Sequence, residues 1–336
     1  MPLVSVVIPA YGHRDLIVRT LESVFAQTFT DYEVIVINDG SPDDTEAALQ
    51  PYISQRKIRY LAQKNAGVAA ARNHGISLAQ GEFIALLDDD DLWPPDKLAT
   101  QVVQLQANPK AVMVYGSIEV IDAGGAPLVL TDALGNPRRL NCDGADNPGP
   151  SGSVYAEFAQ DNWIISPGQT VIRHSALKEL GGAPFDTQIW GADDWDLWLR
   201  LCEIGELLYF PKTALQYRYH ADNASKNEIR LQLNCLKVFR KQLTRNRTHP
   251  ERYAIMQAAY KLQRAHTYVR FFHLAWLDYD RVVNKGDSRS YLYSALKKLA
   301  ITAFTNPRAC WNRKFFQLTR GTVRKIININ KNKVDL

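Results

Sequence analysis

Apolar residues in the first 120 positions follow two alternating rhythms. Val4–Ile8 and Tyr32–Ile37 are short, β-branched and almost continuously apolar, as strands buried on both faces of a parallel sheet are. Between them, Ile17, Leu21, Val24 and Phe25 recur at helical spacing within residues 16–27. Ser41-Pro42-Asp43-Asp44 then opens a second helix, with a cap, an early proline and acids at the positive end. Lys57–Leu61 predicts a third strand and Gly67–Leu78 a third helix. Phe83–Leu87 predicts a fourth strand, which runs straight into Asp88-Asp89-Asp90-Asp91. Strands alternating with helices imply an α/β, doubly wound, mostly parallel sheet with its ligand crevice at the carboxyl ends of the strands. Tyr11, Asp39 and the four aspartates then share one edge.

Residues 111–122 add one or two strands, and 124–152 turn to Gly, Pro, Asn and Asp, as a long functional loop would. Structure resumes near 164–173, followed by a helix over 175–180 and another over 195–204, preceded by Asp193-Asp194. After His220 the pattern is helical. This divides the chain into an α/β domain over 1–225, with a mobile loop at 124–162 opening its second part over 123–225, and a helical basic region over 226–336.

Charge sharpens that division. Residues 1–220 hold 16 Lys and Arg against 28 Asp and Glu, whereas 221–336 hold 24 against 7. The basic back half seeks an anionic surface, membrane or nucleic acid. At 306–336, Trp311, Phe315, Phe316 and Leu318 alternate with Arg308, Arg313, Lys314, Arg320, Arg324 and Lys325. That is the make-up of an interfacial amphipathic helix, or of a helix packed on the domain with a solvated basic face. No nucleic-acid module accompanies the charge, so nucleic acid is not expected as a partner. The start lacks a basic segment before an apolar run, no run reaches the roughly 18–20 residues of a spanning helix, and Cys142, Cys202, Cys235 and Cys310 are scattered. A cytoplasmic protein with reduced thiols is expected, peripheral on the inner face of the membrane if the basic end docks there.

Four consecutive carboxylates behind a buried strand repel one another and resist desolvation, and a divalent cation resolves both problems. Hard oxygen ligands suit Mg2+ or Mn2+, which bind one or two carboxylates together with substrate phosphates. The structural alternative is a solvated acidic turn.

The blocks around these residues are specific in combination. Val4–Tyr11, Val36–Ser41, Asn65–Asn73, Leu87–Trp93 and Gly191–Arg200 resemble, in order, five conserved blocks of family 2 glycosyltransferases with the GT-A fold. Arg218–Ser225 resembles the closing block. The resemblance covers about residues 4–225 and departs at Asp193, where the family has Glu. It implies an inverting transfer of a sugar from a nucleotide-sugar, such as a UDP-sugar, to a glycan or lipid-linked acceptor of surface-polysaccharide synthesis. It also implies that 1–225 is the catalytic domain, with 1–122 its nucleotide-sugar-binding half and 123–225 its acceptor half.

By that resemblance Pro9, Ala10, Tyr11 and Asn65 meet the nucleotide-sugar, with Tyr11 stacking on the base. Asp39 accepts a hydrogen bond from the base, and Arg72 contacts base or diphosphate. Asp88 faces the ribose and Asp90 holds the metal, although four aspartates in a row leave the register open by one, so Asp89 or Asp91 could share these roles. His220 is a metal ligand or a diphosphate contact. Asp194 is the base that takes the acceptor proton, with Asp193, Trp195, Gln169 and Arg173 on the acceptor side; a plain N-cap is the alternative for Asp193-Asp194. Two other readings stand beside this one. The first is a nucleotide-sugar binding protein without turnover, hinted at by Asp193. The second is a metal-dependent phosphohydrolase, which would need Asp-x-Asp where the chain has Pro9-Ala10-Tyr11.

Overall fold

A computed structural model describes residues 1–130, 148–220, 223, 227–284, 290–305, 314, 315 and 317–323. Among these, seven strands form one sheet: β1 (Val4–Ala10), β2 (Tyr32–Asn38), β3 (Arg59–Ala62), β4 (Phe83–Leu86), β5 (Ala111–Ile121), β6 (Thr170–Arg173) and β7 (Glu206–Arg218). Their order is β3-β2-β1-β4-β6-β5-β7. Neighbours are parallel except β6, which runs antiparallel to both β4 and β5. The mostly parallel α/β sheet expected from the alternating pattern is present.

Helices among the described residues include α1 (Arg14–Phe25), α2 (Thr45–Ser54), α3 (Val68–Leu78), α4 (Lys97–Ala107), α5 (Tyr155–Gln160), α6 (His174–Glu179), α7 (Asp193–Leu201), α8 (Glu228–Arg245), α9 (Pro250–Asn284) and α10 (Ser290–Thr305). One helix face buries Ile17, Leu21 and Val24 of α1 with Val6, Ile8, Val34 and Val36 of the sheet. On the other side α3 lies so close to β1 that a Cβ on Gly75 would stand 2.3 Å from Val7 Cγ1. Glycine is what lets this helix, and Arg72 upon it, approach the sheet.

Two details of the strands aim the site. The pairing of β1 with β4 ends at Val7 and Leu86, with a last bond from the Leu87 amide to the Val7 carbonyl. Pro9 falls just beyond, on the side where β1 has lost its partner, so its missing N–H costs no ladder bond. The reversed direction of β6 brings its first residues, not its last, to the carboxyl end of β4.

The chain divides into two units, 1–234 and 235–336. In the second, Ala275, Ala295, Leu299, Phe315 and Leu318 form a buried cluster with Tyr268, Phe272 and Tyr279 against it. Phe315 and Leu318, for which the sequence leaves an interfacial and a packed helix both open, are buried in this core. Trp311, Phe316, Arg308, Arg313, Arg324 and Lys325 lie outside the described residues. On α9, Leu262, Val269, Trp276 and Val283, spaced by seven, are 44%, 62%, 51% and 36% exposed. Among the described residues, no helix is long and apolar enough to cross a membrane, and Cys202 is a free thiol.

Candidate functional site

Loops at the carboxyl ends of β1, β2, β4 and β7 converge with the segment before β6 and the start of α7. The aspartate tetrad sits at their centre, its carboxylates turned to several parts of the chain, with Ser166 Oγ shared between Asp88 and Asp91. Asp88 Oδ1 accepts from Arg72 Nη2 at 2.6 Å. Asp89 turns back to β1, taking the Tyr11 amide on Oδ2 and lying against His13 Nδ1 through Oδ1, both at 2.8 Å. Asp90 Oδ2 lies 2.9 Å from His220 Nε2. Asp91 is buried, its Oδ1 accepting from the Arg218 amide at 2.8 Å and its Oδ2 from Ser166 Oγ at 3.3 Å. The solvated acidic turn is excluded, because Asp89 and Asp91 are 7% and 1% exposed.

Such burial disfavours charge. It pushes Asp89 up to about 6, against the pull of the His13 hydrogen bond. Asp91 rises well above the usual carboxylate range through burial and then the charges of Asp90 and Asp88. Arg218 braces the turn from behind, donating through Nε to the Asp90 carbonyl and through Nη1 to the Ala123 carbonyl, at 2.8 and 2.9 Å.

Arg72, buried on α3, bridges the tetrad to α7. Its Nη1 reaches Asp193 Oδ2 at 3.2 Å, and its guanidinium lies over the Phe185 ring at 5.3 Å. Asn73 fixes that ring by exchanging two hydrogen bonds with the Phe185 backbone, at 2.7 and 2.9 Å. Burial alone would lower the Arg72 value, but Asp88 and Asp193 outweigh it and keep the guanidinium charged.

Asp193 and Asp194 lie in the first turn of α7, with Ala192 at the cap position and no side-chain cap bond. The N-cap alternative for this pair therefore fails. Asp193 is raised by burial and drawn back by Arg72. Asp194 is pushed up to about 8, by burial first and then by the neighbouring Asp193 charge. Its Oδ1 accepts from the Trp195 amide at 2.6 Å.

On the nucleotide side, Tyr11 is half exposed beside the Asp39 loop. Asp39 is buried and organises that loop, accepting from Gln63 Nε2 and the Ala66 amide on Oδ1 and from the Gly67 amide on Oδ2, at 2.7, 2.9 and 2.8 Å. Asn65 is exposed on the same loop, and Gly40 (φ +72°) faces it so closely that a Cβ would come within 3.0 Å of the Asn65 nitrogen. Ala10 is buried, its carbonyl accepting from the Asp39 amide at 2.9 Å.

Three residues expected on the acceptor side are placed otherwise. Arg173 stands at the opposite edge of the sheet, because β6 runs backwards; it pairs in register with Phe83 and donates to the carbonyls of Ala111 and Leu105. Gln169 is fully buried, its amide spanning the Gly116 carbonyl and the amides of Ile165 and Ser166. Trp195 is buried, with its indole donating to the Phe158 carbonyl at 2.7 Å. Gln169 serves instead to hold Ser166 against the tetrad. His13, Ser166, Phe185 and the bracing role of Arg218 went unnoticed in the sequence. Only His13 carried a signal, as a titratable residue two positions beyond Tyr11.

The model of the family described as Glycosyl transferase family 2 matches residues 5–181. Chondroitin synthase of Escherichia coli is 30% identical over 247 residues, which cover 73% of this chain and 33% of that one. The chain thus spans about a third of that synthase, and about a third of two similar uncharacterized glycosyltransferases of Rickettsia. Among solved structures, S. aureus TarS 1-349 in complex with UDP-GlcNAc has a TM-score of 0.59 at 14% identity, over 98% of this chain and 92% of that one. Mannosyltransferase PcManGT from Pyrobaculum calidifontis, in complex with GDP-Man and Mn2+, has a TM-score of 0.56 at 20% identity, over 99% and 88%.

Proposed function

The chain belongs to glycosyl transferase family 2, and from that membership we propose that it is an inverting, metal-dependent transferase that moves a sugar from a nucleoside diphosphate onto an acceptor hydroxyl. The observation that carries this reading is the meeting, at one sheet edge, of an Asp90–His220 pair and a buried Asp194 linked through Asp193 and Arg72 to Asp88. The UDP-GlcNAc complex of TarS supports a UDP-sugar donor. The chondroitin synthase relative supports a glycan acceptor, in surface polysaccharide or a lipid-linked intermediate.

The side chains fit a divalent cation: His13, Asp90 and His220 offer ligand atoms within 4.8 Å of one another. Asp90 and His220 would hold it, and a bound cation offsets the negative charge that grows on the leaving diphosphate. Tyr11 and Asn65 flank the nucleotide, and Arg72 presents positive charge beside Asp88. With Oδ1 of Asp194 occupied by the Trp195 amide, the other oxygen takes the acceptor proton. As that O–H bond breaks, the acceptor oxygen bonds to the anomeric carbon. The bond from that carbon to the diphosphate opens on the opposite face, and the electron pair leaves with the nucleotide.

Two variants measured by calorimetry and turnover test this. Asp90→Ala is expected to abolish Mn2+-dependent UDP affinity, and Asp194→Asn to keep it while losing transfer. Unchanged UDP affinity in Asp90→Ala would move the metal elsewhere, and normal transfer by Asp194→Asn would remove the base assignment. The excess of basic residues after 220, with the exposed apolar row on α9, supports an anionic membrane surface as a further partner.

A further inference from the structure

Three metal-ligating side chains meet where β1, β4 and β7 end, and the sequence blocks account for only two of them. His13, Asp90 and His220 each bring a ligand atom within 4.8 Å of the others. Asp90 Oδ2 and His220 Nε2 are 2.9 Å apart. That is about the separation of two ligands, each roughly 2.1 Å from one cation, that subtend a right angle. The rings of His13 and His220 stand edge to face, with centroids 5.4 Å apart and planes at 87°.

Asp89 holds His13 in this position. Its Oδ1 lies 2.8 Å from Nδ1 of the ring, while its Oδ2 is pinned by the Tyr11 amide. When Asp89 is ionised it only accepts, so Nδ1 donates to it and the lone pair of the ring lies on Nε2. A carboxylate behind an imidazole in this way fixes its tautomer, orients the ring and raises its basicity toward a cation. This also explains why the second aspartate of the tetrad turns away from its neighbours.

We infer that His13 is a third protein ligand of the donor-site cation, positioned by Asp89, and that the set of two imidazoles and one carboxylate makes the site select Mn2+ or Co2+ over Mg2+. The inference rests on the functional reading above. Its physical basis is that Mg2+ demands oxygen ligands in near-ideal octahedral array, whereas imidazole suits the transition ions.

The test uses the full chain with UDP as probe and reads the metal itself. Mn2+ affinity is measured by electron paramagnetic resonance titration, and coordinated nitrogens by electron spin echo modulation. Wild type should show two imidazole nitrogens, and His13→Ala and His220→Ala one each. Mn2+ affinity should fall about 10- to 100-fold in His13→Ala, and about tenfold in Asp89→Asn, where the ring remains but its orienting carboxylate is lost. Mg2+ should bind about two orders of magnitude more weakly than Mn2+. A single nitrogen in wild type, a signal unchanged in His13→Ala, or equal affinity for Mg2+ and Mn2+ would overturn the inference and leave the transferase reading standing. Should no cation support UDP binding, both fall together.

Discussion

Asp194 is a buried carboxyl in the first turn of α7. Its value of about 8 suits the proposed role of a base that must first be empty and then filled. Transfer should therefore rise with pH through about 8 in wild type. In Asp194→Asn it should be lower by about 10²- to 10⁴-fold, without that limb. The same shift has a stability sign. A carboxyl raised on folding contributes stability that is full below its unfolded value of about 4 and is lost as pH rises through the folded one. Asp194→Asn should therefore melt above wild type at pH 9, with the gap shrinking toward pH 5; a gap of constant size would deny the shift. Arg72 poses the opposite case. Its fork joins Asp88 and Asp193, a geometry that the single ammonium of lysine cannot copy. Removing it strands two carboxylates, so Arg72→Met should cost about 3–5 kcal/mol by denaturant unfolding.

At the scale of elements, the close approach of α3 to β1 decides where Arg72 points. Gly75→Ala should destabilise by about 1–3 kcal/mol, since the new methyl meets Val7. Val7→Ala should recover part of that loss in a double-mutant cycle, and strict additivity would show that the contact is not what matters. The first four strands were legible in the sequence because strands buried on both faces leave uninterrupted apolar runs. β7 was not legible: its pattern is half exposed and interrupted by Pro211 and Lys212, where the register with β5 shifts. The expected helix start near Ser41 shifts to Thr45, with Pro42 outside it. Local pattern gives no strand direction either, so the antiparallel course of β6 sent Arg173 to the far edge unseen. The aspartates, Tyr11 and Asp194 could be named because strand ends and ordered blocks mark them. Which carboxylate turns to which partner is set by β1, α3 and β7, far away in sequence.

For the molecule as a whole, the acidic front and basic back should behave differently on vesicles. Trp276, half exposed in the apolar row of α9, is positioned to enter an interface. Trp276→Glu is expected to cut sedimentation with anionic vesicles severalfold, while neutral vesicles bind neither protein. Equal binding of wild type and variant would place the contact elsewhere.

The tetrad also sets an order of events. Asp89 reaches 78 residues back to Tyr11, Asp90 130 residues forward to His220, and Arg72 121 residues forward to Asp193. The set is complete only once the chain has been made as far as His220 and its distant strands have docked. A nascent or half-collapsed chain therefore lacks the complete set proposed to grip cation and nucleotide. These ligands should leave the refolding rate nearly untouched and act by slowing the escape from the native state.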